Sequence, residues 1–166
     1  VSLFSTTGTS TSSALSYYTS TSNTRPGTYA VDITAAATTP SVMGSGFSGI
    51  YADDGTPDDL SITDAISGAT GSISLASGDT TDTIVGKLNA MFATSKMALT
   101  ATKNGNDLVI TGSRYGTAST FTVAYTPGGA DGTSQLGLAA ASYAGTDVAG
   151  TIGGVAARGS GQVLTA

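Results

Sequence analysis

Between Ser72 and Val123 the apolar residues change period twice, and this restricts the fold more than any other feature of the chain. Ser72-Ile-Ser-Leu-Ala76 alternates apolar with small polar residues, the period of a half-buried strand. Ser77-Gly-Asp-Thr80 interrupts it. From Thr81 to Phe92, the residues Ile84, Val85, Leu88, Met91 and Phe92 fall on one face of a helix. Asp79 or Thr80 can cap that helix, because a short side-chain oxygen reaches the free N–H groups of its first turn, and Asp82 suits the positive end of the helix dipole. Gly86 weakens the helix by about 1 kcal/mol relative to Ala, which predicts close packing against it. The period then returns to two. Met97 to Thr102 and Asp107 to Thr111 read as paired strands, with Asn104-Gly105 as the turn that needs two positive φ angles. Thr120 to Tyr125 alternates again. No other stretch offers a single amphipathic helix a sheet to lie on.

The flanks read as short strands and polar connections. Val1 to Thr24 is Ser/Thr-rich, with Leu3, Phe4, Leu15, Tyr17 and Tyr18 as apolar anchors, and reads either as a flexible segment or as one with an edge strand around Ala14–Tyr18. After a turn at Arg25-Pro-Gly27, Thr28 to Thr34 alternates with Tyr29, Val31 and Ile33 on one face. Ala35 to Ser48 looks like a connection, Leu60-Ser-Ile62 like a short strand, and Gln135-Leu-Gly-Leu138 like a small apolar return. Val148–Ile152 and Val155–Ala157 frame a hairpin at Gly153-Gly154, and Gly159-Ser-Gly161 turns into Gln162-Val-Leu164. With Ser and Thr at roughly 30% of the chain, far above average usage, and 23 Gly, the fold class is mainly β with one amphipathic helix (α+β).

The residue inventory excludes most chemistry. There is no His, Cys, Trp or Glu, and all eleven acids are Asp. Acid–base work near neutral pH would fall to Asp, Lys or Tyr. Gly44-Ser-Gly46 and Gly159-Ser-Gly161 do not have the G-x-S-x-G form of a nucleophile elbow and read as turns. Asp53, Asp54, Asp58 and Asp59 cluster between Tyr51 and Asp64. Clustered carboxylates can hold Ca²⁺, but Asp-Asp-Gly-Thr-Pro-Asp-Asp lacks the alternate spacing and closing bidentate acid of an EF-hand loop, so a solvated loop tip is the favoured reading. A glycosidase pair would need one carboxyl in an apolar cleft, which a Gly/Pro loop hardly provides. Tyr17-Tyr18 can stack on sugar, although ordinary sheet packing is the commoner use. No catalytic, cofactor-binding or metal-binding residue is assigned, and the chain reads as a non-enzymatic structural or interaction module. Net charge is −5 and the six basic residues are scattered, so neither nucleic acid nor a membrane is an expected partner, and no apolar run is long enough to span a bilayer. The start, Val1-Ser-Leu-Phe, has no signal-peptide pattern, and the chain reads as a piece of a longer one.

Three stretches resemble one family. Pro26-Gly-Thr-Tyr-Ala-Val-Asp-Ile33 is similar to a P-G-T-Y-x-V-x-V opening strand. Ala76 to Ala90, with Ala98-Leu-Thr-Ala-Thr102 and Asp107-Leu-Val-Ile-Thr111, resembles the "IN" motif of flagellins and hook proteins. Gly145-Thr-Asp-Val-Ala-Gly-Thr-Ile-Gly-Gly154, followed by Gly159-Ser-Gly-Gln-Val-Leu-Thr165, resembles a G-T-D-V-A-G-T-I-N-G segment, with Gly153 where Asn is usual. Together they mark the flagellar hook-associated protein 2 family, the bacterial filament-capping proteins. The resemblance implies two small antiparallel β-rich domains, one inserted in the other: 1–45 with 140–166 as the inner, and 46–139 as the outer. It implies an extracellular location at the distal tip of the flagellum, reached through the flagellar type III export system. The implied partners are further copies of the same chain, flagellin, hook–filament junction proteins, an export chaperone and, in some bacteria, host glycans or mucin, with no cofactor. The alternatives are the outer domain of a flagellin and an extracellular adhesin or carbohydrate-binding module.

Overall fold

The computed structural model of the protein describes residues 8–52, 55–56, 58–126 and 135–166. The element order is β1 (Val31–Ala35), β2 (Ser41–Met43), β3 (Asp58–Asp64), β4 (Ala69–Leu75), α1 (Thr81–Thr94), β5 (Leu99–Asn104), β6 (Asp107–Gly112), β7 (Thr120–Thr126), β8 (Ser142–Ala144), β9 (Ala149–Ile152), β10 (Val155–Ser160) and β11 (Val163–Thr165). Among the described residues these strands form three antiparallel sheets, ordered β4-β3-β7-β8, β2-β6-β5 and β1-β9-β10-β11. The chain is therefore mainly β with a single described helix, as its periodicity predicts.

The helix joins the first two sheets. It packs against β4 of one and β5 of the other, and buries Ile84, Leu88 and Phe92, with Val85 and Met91 half-buried beside them. Leu60 and Ile62 of β3, Phe121 and Val123 of β7, and Leu108 and Ile110 of β6 close the same core. Each such side chain contributes about 1.5–3 kcal/mol on burial. Leu136 and Leu138, the small apolar return, are also buried in it. At the end of the helix, Met97 N–H donates to the Phe92 carbonyl and Lys96 N–H to that of Ala93, with Lys96 at φ 54°. This is a Schellman cap that has Lys where Gly is usual.

Several sequence expectations shift in detail. The strand expected at Leu60–Ile62 runs from Asp58 to Asp64 and is central, pairing β4 on one side and β7 on the other. Ala14–Tyr18 is not a strand, and Tyr18 is 79% exposed. The connection Ala35–Ser48 contains β2, too short to show a period. The turn between β5 and β6 is Gly105-Asn106, not Asn104-Gly105: Asn104 pairs with Asp107, and of the two turn residues only Gly105 has positive φ. Gly first with an ordinary second residue is the pattern of a II′ turn rather than I′. Ser160 likewise pairs with Val163, so that turn is Gly161-Gln162 and β10 runs through Gly159 and Ser160. Gly86 is the clearest correction. A Cβ there would meet open space, and the close approach between helix and sheet lies at Gly71, against Met91.

The sheet β1-β9-β10-β11 stands apart in energetics. None of its strand residues is fully buried, and the buried core cluster draws no residue from it. The expected division at 45/46 and 139/140 falls close to strands that pair into the other two sheets: β2 with β6 and β8 with β7.

Candidate functional site

The aspartates are the side chains best suited to chemistry. Asp53 and Asp54 lie outside the described residues. Asp58 and Asp64 are not at a solvated tip: they sit at the two ends of β3, on its inward face, and are 0% and 2% exposed. The Tyr51 hydroxyl donates to Asp58. Asp64 accepts from Ile66 N–H, Ser67 N–H, the Ser67 hydroxyl at 2.7 Å and Ala98 N–H. Burial pushes its carboxyl up, but the Ser67 hydroxyl and the Ile66, Ala98 and Ser67 N–H groups outweigh that and hold it below the usual carboxylate range. These acids organise turns. Asp59 between them points outward. Among the described residues no group of three potential ligands gathers for a metal. Ser45 lies with its backbone against Gly137, and Ser160 is the last residue of β10, so neither forms an elbow.

The helix and the β5–β6 hairpin form one hydrogen-bonded unit. Thr80 caps α1, its hydroxyl accepting from Thr83 N–H at 3.2 Å. Asp79 instead accepts from Ala76 N–H and from Lys87, whose ammonium also donates to the Ser74 carbonyl. Asn89 faces the edge strand β5: its Nδ2 donates to the Ala101 carbonyl and its Oδ1 accepts from Ala101 N–H, both at 2.9 Å. That side chain acts as a one-residue strand and closes part of an edge that would otherwise expose pairing groups. Thr81 donates to the Asn106 carbonyl at 2.8 Å, tying the first helical turn to the hairpin turn. The helix and the hairpin have a periodic signal in the sequence, whereas these ties have none, because a side chain's backbone partner across a fold leaves no period.

The sheet β1-β9-β10-β11 offers a candidate contact surface. Cross-strand register sets Val31, Ile152 and Val155 side by side on one face, with Ile33 beside Gly150 and Ala157 further along it, and Leu164 opposite Gly159. The opposite face carries Asp32, Thr151, Arg158 and Thr165. Val31, Ile33 and Val155 are 42%, 37% and 63% exposed. Residues 8–12 and 14–30 line an open cleft together with Val31, Ile33, Ile152, Val155 and Leu164 of this face. Tyr18 is largely exposed, and Tyr17 lies against Gly8.

Comparison with known proteins is consistent with this architecture. No protein-family model matches the chain, and no curated protein matches it at a significant level. Solved structures do. FliD (HAP2) from Pseudomonas aeruginosa PAO1 aligns with a TM-score of 0.57 at 18% identity, over 86% of this chain and 70% of that one. The D2–D3 domains of the flagellar cap protein FliD from Serratia marcescens align with a TM-score of 0.53 at 18% identity, over 86% and 81%. The D1–D2–D3 domains of the Escherichia coli cap protein give 0.53 at 16%, over 84% of this chain but only 44% of theirs. The chain therefore has the fold of the D2–D3 region of these cap proteins and spans less than half of the longer Escherichia coli structure.

Proposed function

We propose that this chain is the outward, D2–D3-like part of a bacterial flagellar filament cap, a structural component rather than an enzyme. The observation that carries the reading is the shared fold over most of the chain. The three family-like stretches support it independently of the superposition, because each falls on a defined part of the architecture. The first leads into β1, the second is the α1–β5–β6 unit, and the third runs from the connection before β9 through β11. Function then resides in surfaces. The whole protein would form a homo-oligomer at the distal end of the filament, contact flagellin and hook–filament junction proteins, and promote folding and insertion of flagellin. It would reach that place through type III export with its chaperone.

In this reading the two domains divide at the Thr38–Thr146 bridge. Residues 40–144 make the outer domain with the helix and both packed sheets, while β1 and β9–β11 belong to the inner one. Immunogold electron microscopy of the source cells, with antibody raised against this chain, tests the proposal. Gold confined to filament tips is the expected result. Gold along the whole filament would make the chain a flagellin domain, and gold on the cell body would leave an adhesin-like module.

A further inference from the structure

Two chain crossings connect the terminal sheet β1-β9-β10-β11 to the rest of the molecule, and they meet side by side. Thr38 N–H donates to the Thr146 carbonyl at 2.9 Å, and the two threonine hydroxyls lie 2.9 Å apart. A pair of crossing strands held at one bridge forms a pivot, because few groups oppose rotation about it. Asp147, the next residue, sits where three segments converge. Its Oδ1 accepts from Thr117 N–H at 3.1 Å and from Gly161 N–H at 2.7 Å; its Oδ2 accepts from the Thr117 hydroxyl at 2.6 Å. Thr117 belongs to the loop between β6 and β7, whereas Gly161 is the turn between β10 and β11. One carboxylate therefore spans both sides of the pivot.

The backbone around it is shaped for this contact. A Cβ on Gly116 would lie 2.5 Å from the Asp147 carboxylate and 2.7 Å from Gly161 Cα, so only glycine lets the loop and the turn touch. A Cβ on Gly145 would lie 2.3 Å from the Thr38 carbonyl. Gly116 N–H donates to that same Thr38 carbonyl, and Val148 N–H to the Gly161 carbonyl. The Thr117 hydroxyl, with the Gly161 and Thr117 N–H groups, keeps the Asp147 carboxyl below the usual carboxylate range. A charged acceptor makes such bonds stronger than a neutral one.

We infer that Asp147 is the latch of an interdomain joint: its carboxylate, held by Thr117 and Gly161, fixes the angle of the terminal sheet against the helix-bearing body. The inference does not depend on the cap reading. It explains why a short Gly-Thr-Asp run sits at this place in the chain. Among the described residues the terminal sheet contributes nothing to the buried core of the body, so loss of the carboxylate is expected to let it turn about the Thr38–Thr146 bridge.

The chain has no cysteine, so two can be introduced cleanly. Spin labels at Ala90→Cys on the exposed face of α1 and Ala156→Cys on β10 report the angle by pulsed electron paramagnetic resonance in the full chain. The parent is expected to give one narrow distance distribution. Asp147→Ala is expected to broaden it about twofold or shift its maximum, as a joint moving on slow collective timescales would. Thr117→Val, which lies outside the terminal sheet, is expected to do the same to a smaller extent. An unchanged distribution in both variants would overturn the latch. So would loss of strand signal in the circular dichroism of Asp147→Ala together with an unchanged distribution in Thr117→Val, since Asp147 would then hold the sheet together rather than set its angle.

Discussion

Replacing Asn89 with alanine tests the edge-closure argument most directly. Both backbone groups of Ala101 are bonded to the Asn89 side chain, and Ala101 itself is 2% exposed. β5 lies at the edge of its sheet, so no further strand replaces those bonds. Losing two hydrogen bonds and leaving two poorly hydrated backbone groups costs about 2–4 kcal/mol. Alanine's better helix propensity returns roughly 0.5 kcal/mol. The net loss is about 2–3 kcal/mol, equivalent to a fall in Tm of roughly 4–12 °C for a chain of this size. Calorimetry gives the Tm, and amide hydrogen exchange at Ala101 gives the local effect. Asn89→Asp separates the two bonds. Its carboxylate still accepts from Ala101 N–H but sets an oxygen against the Ala101 carbonyl, so the Ala101 amide should stay protected although the Tm falls. An Asn89→Ala protein that melts with the parent, or whose Ala101 amide exchanges no faster, refutes the reasoning.

Other substitutions probe the helix ends, its open face and the buried acid. Gly86→Ala should stabilise by about 0.5–1 kcal/mol, because the new methyl meets open space and the unfolded chain loses freedom; a lower Tm would mean the helix face is covered. Lys96→Gly should stabilise by about 0.5–1 kcal/mol through relief of the left-handed φ of 54°, visible as a higher denaturant midpoint at unchanged slope. Asp64 has a depressed folded pKa, so its contribution is fully present above the unfolded value near about 3.9 and is lost as pH falls through the lower folded value. Asp64→Asn should therefore cost about 1–3 kcal/mol at neutral pH, and the gap to the parent should close in melts below about pH 4; a gap constant down to pH 2 would remove Asp64 from the acid limb.

Legibility in the sequence followed how local the cause was. The helix could be read because five apolar side chains at helical spacing and a Thr cap act within one element. The long strands β4, β6 and β7 could be read because alternation is also local. Strands β2 and β8, of three residues each, carry no readable period; they exist because β6 and β7 present free edges to them. The turn at Gly105-Asn106 was displaced by one residue because Asn-Gly is a strong local signal, yet the cross-strand register pairs Asn104 with Asp107 and pushes the turn along. Asp58 reads as part of a solvated tip because nothing local announces that Tyr51 will donate to it, and the partners of Asp64 at Ser67 and Ala98 are equally silent in the sequence.

By itself, then, the chain of residues determined the fold class, the position of the helix and the absence of His, Glu and Cys side chains. These follow from side-chain period and inventory, which are properties of short stretches. Tertiary structure decided which strands share a sheet, which acids are buried, and that Asn89 and Asp147 bind backbone groups far away in sequence. Those outcomes depend on unsatisfied N–H and C=O groups that exist only once the strands have met, so no stretch read alone contains them.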